Sequence, residues 1–209
     1  MTEADIHYPT DTGLLADGIR VITRTVDKLK KHGAEVGNRF VNHTRKVRKT
    51  YLELMKVMKK RSGKDSPALT KARATLSHIA QEVAAVGEEI YSHLEALTER
   101  PIIRRLAQQL VTWVGVTEQV IEQTKRVIGG CRHIPGRIVS LFDTEARPIQ
   151  RGKLRVGTEF GRKVLIGETD HGIITTYKVF KENPSDTTLL KFAVQGHKRL
   201  FRKKLKAVC

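Results

Sequence analysis

The acidic residues of the C-terminal part are the side chains of this sequence best suited to catalysis, because converging carboxylates hold the metal ions of phosphoryl-transfer sites. They are Asp143, Glu145, Glu159, Glu168, Asp170, Glu182 and Asp186. Asp170 is expected to occupy a turn, and Asp186 is expected to cap a helix, so neither residue needs a catalytic role. Asp143, directly after an apolar run, is the one carboxylate placed as a metal ligand would be, but a loop role is the simpler interpretation. We therefore predict no catalytic residue and no metal site.

Other catalytic chemistries have even less support. The fragment Cys131-Arg132-His133 offers two ligands, whereas a structural zinc site needs four, and no second cluster exists in the sequence. The glycines show no phosphate-binding loop with a G-K-[ST] ending, and no serine stands in a G-x-S-x-G setting. Two cysteines are too few for a disulfide framework.

Basic residues are the dominant chemical feature, since the formal net charge is +17 at pH 7. Such an excess favours contact with phosphate backbones through counterion release, although a single run of charges is often only a solvated face. Aromatic residues are few, so stacking platforms for single strands are not expected. Four clusters are predicted to contact nucleic acid: Arg45, Lys46, Arg48 and Lys49; Lys59, Lys60 and Arg61; Arg151, Lys153 and Arg155; and Lys198, Arg199, Arg202, Lys203 and Lys204.

Residues 1–130 are predicted to be helical. Apolar residues recur at 4-3-4-3 spacing from Leu15 to Leu29, after Thr10 or Asp11 as N-cap, and a long apolar seam runs from Leu76 to Leu97. Four amphipathic helices joined by short turns indicate an antiparallel bundle or helical hairpins.

Residues 131–209 are predicted to form a second, β-rich domain. The run Ile138–Phe142 is typical of a buried strand, and the alternating runs Phe160–Ile166 and Ile173–Val179 predict a hairpin. Asn183–Asp186 precedes a last helix, and Lys206–Cys209 reads as the opening of another strand. The fold class is α+β, with a helical bundle followed by a small, three-stranded sheet with one helix and an open edge.

Two groups of segments carry a family resemblance over nearly the whole chain. The first group is Ile6–Asp11 and Leu14–Gly18. The second group is Ile138–Asp143, Ala146–Ile149, Gly152–Lys153, Glu159–Gly161, Lys163–Val164 and Asn183–Asp186. Together they resemble the central region of bacterial insertion-sequence transposases of the DDE type.

The resemblance implies a truncated ribonuclease-H-like catalytic domain that carries a helical insertion. In that family three carboxylates hold two Mg²⁺ ions for attack on DNA phosphodiesters. The first lies upstream of the Ile6–Asp11 stretch, the second in an Asp-Arg-Gly-aromatic motif after a strand like Lys206–Val208, and the third further downstream. No residue here inherits a catalytic role. We expect an internal piece of a transposase that binds DNA, is inactive in transposition and recombination, and holds no cofactor.

Two alternatives remain open at this level. One is a non-catalytic module that binds RNA or a ribosome through the same basic faces. The other is a helical protein whose Leu76–Leu97 seam binds a partner, and self-association through that seam or the open sheet edge is a related expectation. The sequence has neither a membrane span nor a signal peptide, so we expect a cytoplasmic protein without a membrane partner.

Overall fold

The chain forms helices first and strands afterwards. The computed structural model describes residues 9–37, 40–60, 67–97, 99–131, 133–150, 158–169, 171–181 and 184–202. Its elements, in chain order, are α1 (Asp11–Lys31), α2 (Thr44–Lys60), α3 (Pro67–Leu97), α4 (Pro101–Ile128), β1 (Arg147–Gln150), β2 (Thr158–Gly161), β3 (Val164–Glu168), β4 (Ile174–Val179) and α5 (Asp186–Phe201). The predicted α+β class is confirmed. Two compact units result, one from Pro9 to Thr144 and one that holds the described residues from Glu145 onward.

Local signals define both ends of α1. Thr10 is the N-cap, and its Oγ1 accepts a hydrogen bond from the Gly13 backbone N–H at 3.1 Å. At the other end Gly33 has a φ of 74°, and the Ala34 N–H donates to the Leu29 carbonyl at 3.0 Å. This is a Schellman arrangement, in which glycine supplies the left-handed residue and the last carbonyls of the helix are paired.

The predicted apolar stripes form the core of the helical unit. α3 and α4 pack along each other as a hairpin, α1 lies against both, and α2 contacts α1 and α3. Leu15, Ile19, Ile22, Leu76 and Leu110 have no solvent exposure. The predicted seam is buried within the chain at Leu76, Ile79, Val83, Ile90 and Leu94, so these side chains are not exposed to a partner or a second copy. Among the described helices, none combines the length and apolar composition needed to cross a membrane.

Two glycines allow the helices to approach α4 closely. A Cβ atom at Gly18 of α1 would lie 2.6 Å from Thr117 Oγ1 of α4, and one at Gly87 of α3 would lie 2.9 Å from Val114 Cγ2. A Cβ atom does not come this close to a non-bonded heavy atom, so both positions need a residue without a Cβ. The spacing between the three core helices therefore depends on these glycines.

The apolar run Ile138–Phe142 is not a strand, contrary to the prediction, and it belongs to the helical unit. The buried side chain of Gln123 supplies the hydrogen bonds that a neighbouring strand would have made. Its Nε2 donates to the Ile138 carbonyl at 3.1 Å, and its Oε1 accepts from the Ile138 N–H at 3.0 Å. Arg137 also pairs with the buried carboxylate of Asp11 at 2.7 Å. The boundary between the units thus lies after Thr144, whereas the sequence placed it after residue 130.

The β-rich unit contains two antiparallel pairs of strands among its described residues, instead of one three-stranded sheet. β1 pairs with β2, and β3 pairs with β4. The predicted hairpin is confirmed for β3 and β4, with Val164 opposite Val179. β1 is a strand that the sequence pattern did not predict.

The predicted strand Phe160–Ile166 is interrupted at the two residues between β2 and β3. Arg162 pairs with Glu145 at 2.7 Å, and Lys163 Nζ donates to the Pro184 carbonyl at 2.6 Å. Both residues thus make side-chain contacts to segments outside β2 and β3. The predicted last helix is present as α5, which contacts β3 and β4. Its N-cap is Ser185 and not Asp186 as predicted, because the helix already includes Asp186. The strand predicted at Lys206–Cys209 lies outside the described residues.

Candidate nucleic-acid interface

The carboxylates of the C-terminal part that the structure describes do not form a cluster of three. Asp143 lies in a short turn in which its backbone N–H donates to Ser140 Oγ at 3.2 Å, and Glu145 is engaged by Arg162. Within the described ranges, no group of three His, Cys, Asp or Glu side chains is placed to hold a metal ion. The described residues therefore do not fit the pair of Mg²⁺ ions that the transposase resemblance implies.

A raised pKa marks Tyr91 on α3. Its hydroxyl donates a hydrogen bond to Glu95 one turn later, and partial burial and the negative charge of Glu95 add to the effect. The two residues are one turn apart on α3, and the Tyr91 ring packs against the core of the helical unit. It gives no indication of acid–base catalysis.

The first predicted basic cluster forms an exposed face of α2. Arg45, Lys46, Arg48 and Lys49 are all exposed, whereas Val47 on the opposite side is 4% exposed and lies in the core. Among the ion pairs formed by described residues, none involves these four cations. We call this set of four residues the α2 face.

The start of α2 is fixed by its own sequence. Asn42 Oδ1 accepts hydrogen bonds from the backbone N–H of Thr44 at 3.0 Å and from its hydroxyl at 2.5 Å. Buried Val47 and Leu54 are seven residues apart, which is two helical turns, so they anchor a single side of the helix. The four cations of the α2 face are therefore held on the solvent side.

The last predicted cluster is described only in part. Lys198 and Arg199 are exposed in the final turn of α5, and Arg202 is its exposed C-cap with a φ of 54°. Lys203 and Lys204 lie outside the described residues. The same holds for Arg61, Arg151, Lys153 and Arg155 and for the side chains of Lys59 and Lys60, although α2 extends through the last two.

A further basic region was missed by the sequence analysis. It joins the end of α1 to the start of α4, where a cavity of about 430 Å³ opens to solvent. Its lining residues are Lys28, His32, Ile102, Arg105, Leu106 and Gln109. We call it the α1–α4 cleft. The lining residues come from two short segments, 28–32 and 102–109. The two segments lie some seventy residues apart in sequence. Only the packing of α1 on α4 brings them together.

No family model, curated protein or solved structure matches the chain. The likeness to DDE transposases therefore stays a prediction based on the quoted segments. What the geometry itself supplies is a helical unit with two cationic surfaces, the α2 face and the α1–α4 cleft.

Proposed function

We propose that this chain is part of an insertion-sequence transposase of the DDE type, that it binds DNA, and that it does not itself cleave DNA. The observation that carries the binding role is the α2 face, with four exposed cations within five residues. The transposase assignment is supported by the family segments on both sides of the helices. As part of the same proposal, the protein works in the cytoplasm.

The dimensions of the α2 face suit a nucleic-acid backbone. From Arg45 to Lys49 the helix rises about 6 Å, at 1.5 Å per residue. Duplex DNA carries roughly one phosphate charge per 1.7 Å of its axis, so the same length offers about three or four charges. Four cations without acidic partners among the described residues match that density. Contacts of this kind position a protein on DNA without reading its sequence.

The proposal gives no residue a catalytic role. Asp143 is the one carboxylate placed as a metal ligand would be, and the turn at Ser140 gives it a structural role. Glu145 is paired with Arg162. DNA cleavage would need converging carboxylates to hold two metal ions. Binding is accordingly the activity to test.

A charge-removal variant tests the binding role. Replacing Arg45, Lys46, Arg48 and Lys49 by Gln should weaken binding to a 20-base-pair duplex by roughly 10²-fold or more at about 0.1 M salt. The slope of log K against log salt should fall by about three, because three or four phosphate contacts are lost. Fluorescence anisotropy measures both quantities.

The matched control removes four exposed cations elsewhere, by replacing Arg24, Lys71, Lys125 and Lys191 with Gln. It has the same net charge as the α2 variant, so equal losses of affinity would show that only total charge matters and would contradict the proposal. Tighter binding to an RNA of the same length would favour an RNA-binding module instead.

Flanking genomic DNA tests the transposase assignment separately. About 100 codons on each side, on the scale of one more domain, should encode a strand that bears an Asp before the chain and an Asp-Arg-Gly-aromatic motif after it. If neither is found, the assignment is wrong, whatever the DNA affinity.

A further inference from the structure

The α1–α4 cleft combines cationic groups with an apolar floor. The cations are Lys28, in the last turn of α1, and Arg105, which faces it from α4. His32, the C-cap residue of α1, adds ring nitrogens that can form hydrogen bonds. Ile102 and Leu106 supply the apolar part of the lining, and Leu106 is 6% exposed. A volume of about 430 Å³ falls within the roughly 300–1,000 Å³ typical of ligand clefts.

The electrostatic balance around the cleft favours an anion. Residues 27–35 and 99–106 contain six basic and three acidic residues, and Arg100 lies close enough that a Cβ at Gly33 would be 3.4 Å from its Nη1. None of the ion pairs among described residues uses Lys28, His32 or Arg105. These three side chains are therefore available to a ligand.

The backbone at the cleft does not oppose a negative charge. The last carbonyls of α1, those of Lys28, Leu29 and Lys30, are paired with N–H groups of the Schellman turn. Their negative ends are thus partly neutralised. The start of α4 contributes the positive end of its dipole, although the side chains of the cleft are what define the site.

We propose that the α1–α4 cleft binds a phosphodiester of the DNA backbone, as a second anchor beside the α2 face, and this inference rests on the proposed DNA-binding function. Lys28, His32 and Arg105 contact the phosphate oxygens. Ile102 and Leu106 pack against the carbons of the adjoining deoxyribose. The apolar floor argues for a backbone phosphate, because free phosphate has no apolar surface to bury there.

The test compares two double variants of the full chain. Lys28→Gln with Arg105→Gln should weaken binding to a 20-base-pair duplex roughly five- to ten-fold at about 0.1 M salt, and should lower the salt slope by about one, the effect of one lost phosphate contact. Lys71→Gln with Lys125→Gln removes the same charge from exposed positions outside the cleft. The conservative pair Lys28→Arg with Arg105→Lys should keep near-normal affinity.

The outcomes separate this inference from the function on which it rests. If both glutamine pairs weaken binding equally while the unmodified chain binds DNA, the cleft is not an anchor, and the DNA-binding function stands. If the unmodified chain binds no duplex, both proposals fail. A titration with tripolyphosphate distinguishes the source of the phosphate. Should tripolyphosphate bind the unmodified chain and not the cleft variant, while duplex affinity is equal in both, the site takes free polyphosphates and the DNA assignment is wrong.

Discussion

Close packing in the helical unit depends on single residues. Gly18→Ala would place a Cβ 2.6 Å from Oγ1 of Thr117, a fully buried residue whose hydroxyl already donates to the Trp113 carbonyl at 2.7 Å. Neither side has room to yield without moving α1 away from α4. We expect a loss of about 1–3 kcal/mol in the free energy of unfolding, the usual cost of overpacking, measured by urea denaturation.

Gly115 provides a control for that substitution within α4. An added Cβ there meets no atom within 4 Å. Gly115→Ala should therefore raise the free energy of unfolding by up to about 1 kcal/mol, since alanine is the better helix former. Opposite signs for the two variants are expected. Destabilisation by both would show that helix propensity and close approach do not explain these glycines.

At the scale of elements, the helices were predictable because their apolar residues repeat with the helical period over three turns or more. The Leu15–Leu29 stripe lies in the core, as the spacing indicated, and the β3–β4 hairpin follows from alternation around a turn. The run Ile138–Phe142 was not predictable in this way. Its apolar residues satisfy a strand pattern, but the hydrogen bonds of Ile138 go to a side chain fifteen residues earlier.

The two basic surfaces differ in the same way, since one depends on a local sequence pattern and the other on tertiary packing. The α2 face was predictable because its four cations are adjacent in sequence and flank a buried Val47. The α1–α4 cleft was not, because Lys28 and Arg105 meet only through tertiary packing. Sequence spacing reveals sites within one element more readily than sites between two.

The link between α4 and the segment that follows it is open to a direct test. Gln123 is 4% exposed, and truncating it to Ala would leave the N–H and carbonyl of Ile138 without their partners in a buried setting. We expect a loss of about 2–3 kcal/mol in the free energy of unfolding. Gln119→Ala, at an exposed position of the same helix, should change it by less than about 0.5 kcal/mol. Similar losses at the two positions would contradict a clamping role for Gln123.

For the whole molecule, the apolar core is unevenly divided between the two units. The buried apolar residues described in the β-rich unit are Ala146, Ile149 and Leu189, whereas the helical unit has a continuous core along α1, α3 and α4. Several large apolar side chains of the β3–β4 hairpin are exposed, including Tyr177 at 78%. Since burial of apolar surface drives folding, the two units should differ in stability.

Native-state hydrogen exchange of the full chain measures that difference residue by residue. Amides in the middle of α1, α3 and α4 should exchange only when the helical unit unfolds globally. They should therefore have the slowest exchange rates in the chain. Amides of β3, β4 and α5 should exchange at least about 100-fold faster, which corresponds to roughly 2.7 kcal/mol less free energy of opening. Gly18→Ala should speed exchange in the three core helices and leave the rates in β3 and β4 unchanged, because its close contact lies wholly within the helical unit. Equal protection of the two units, or acceleration in both by this variant, would show that they unfold as one cooperative body.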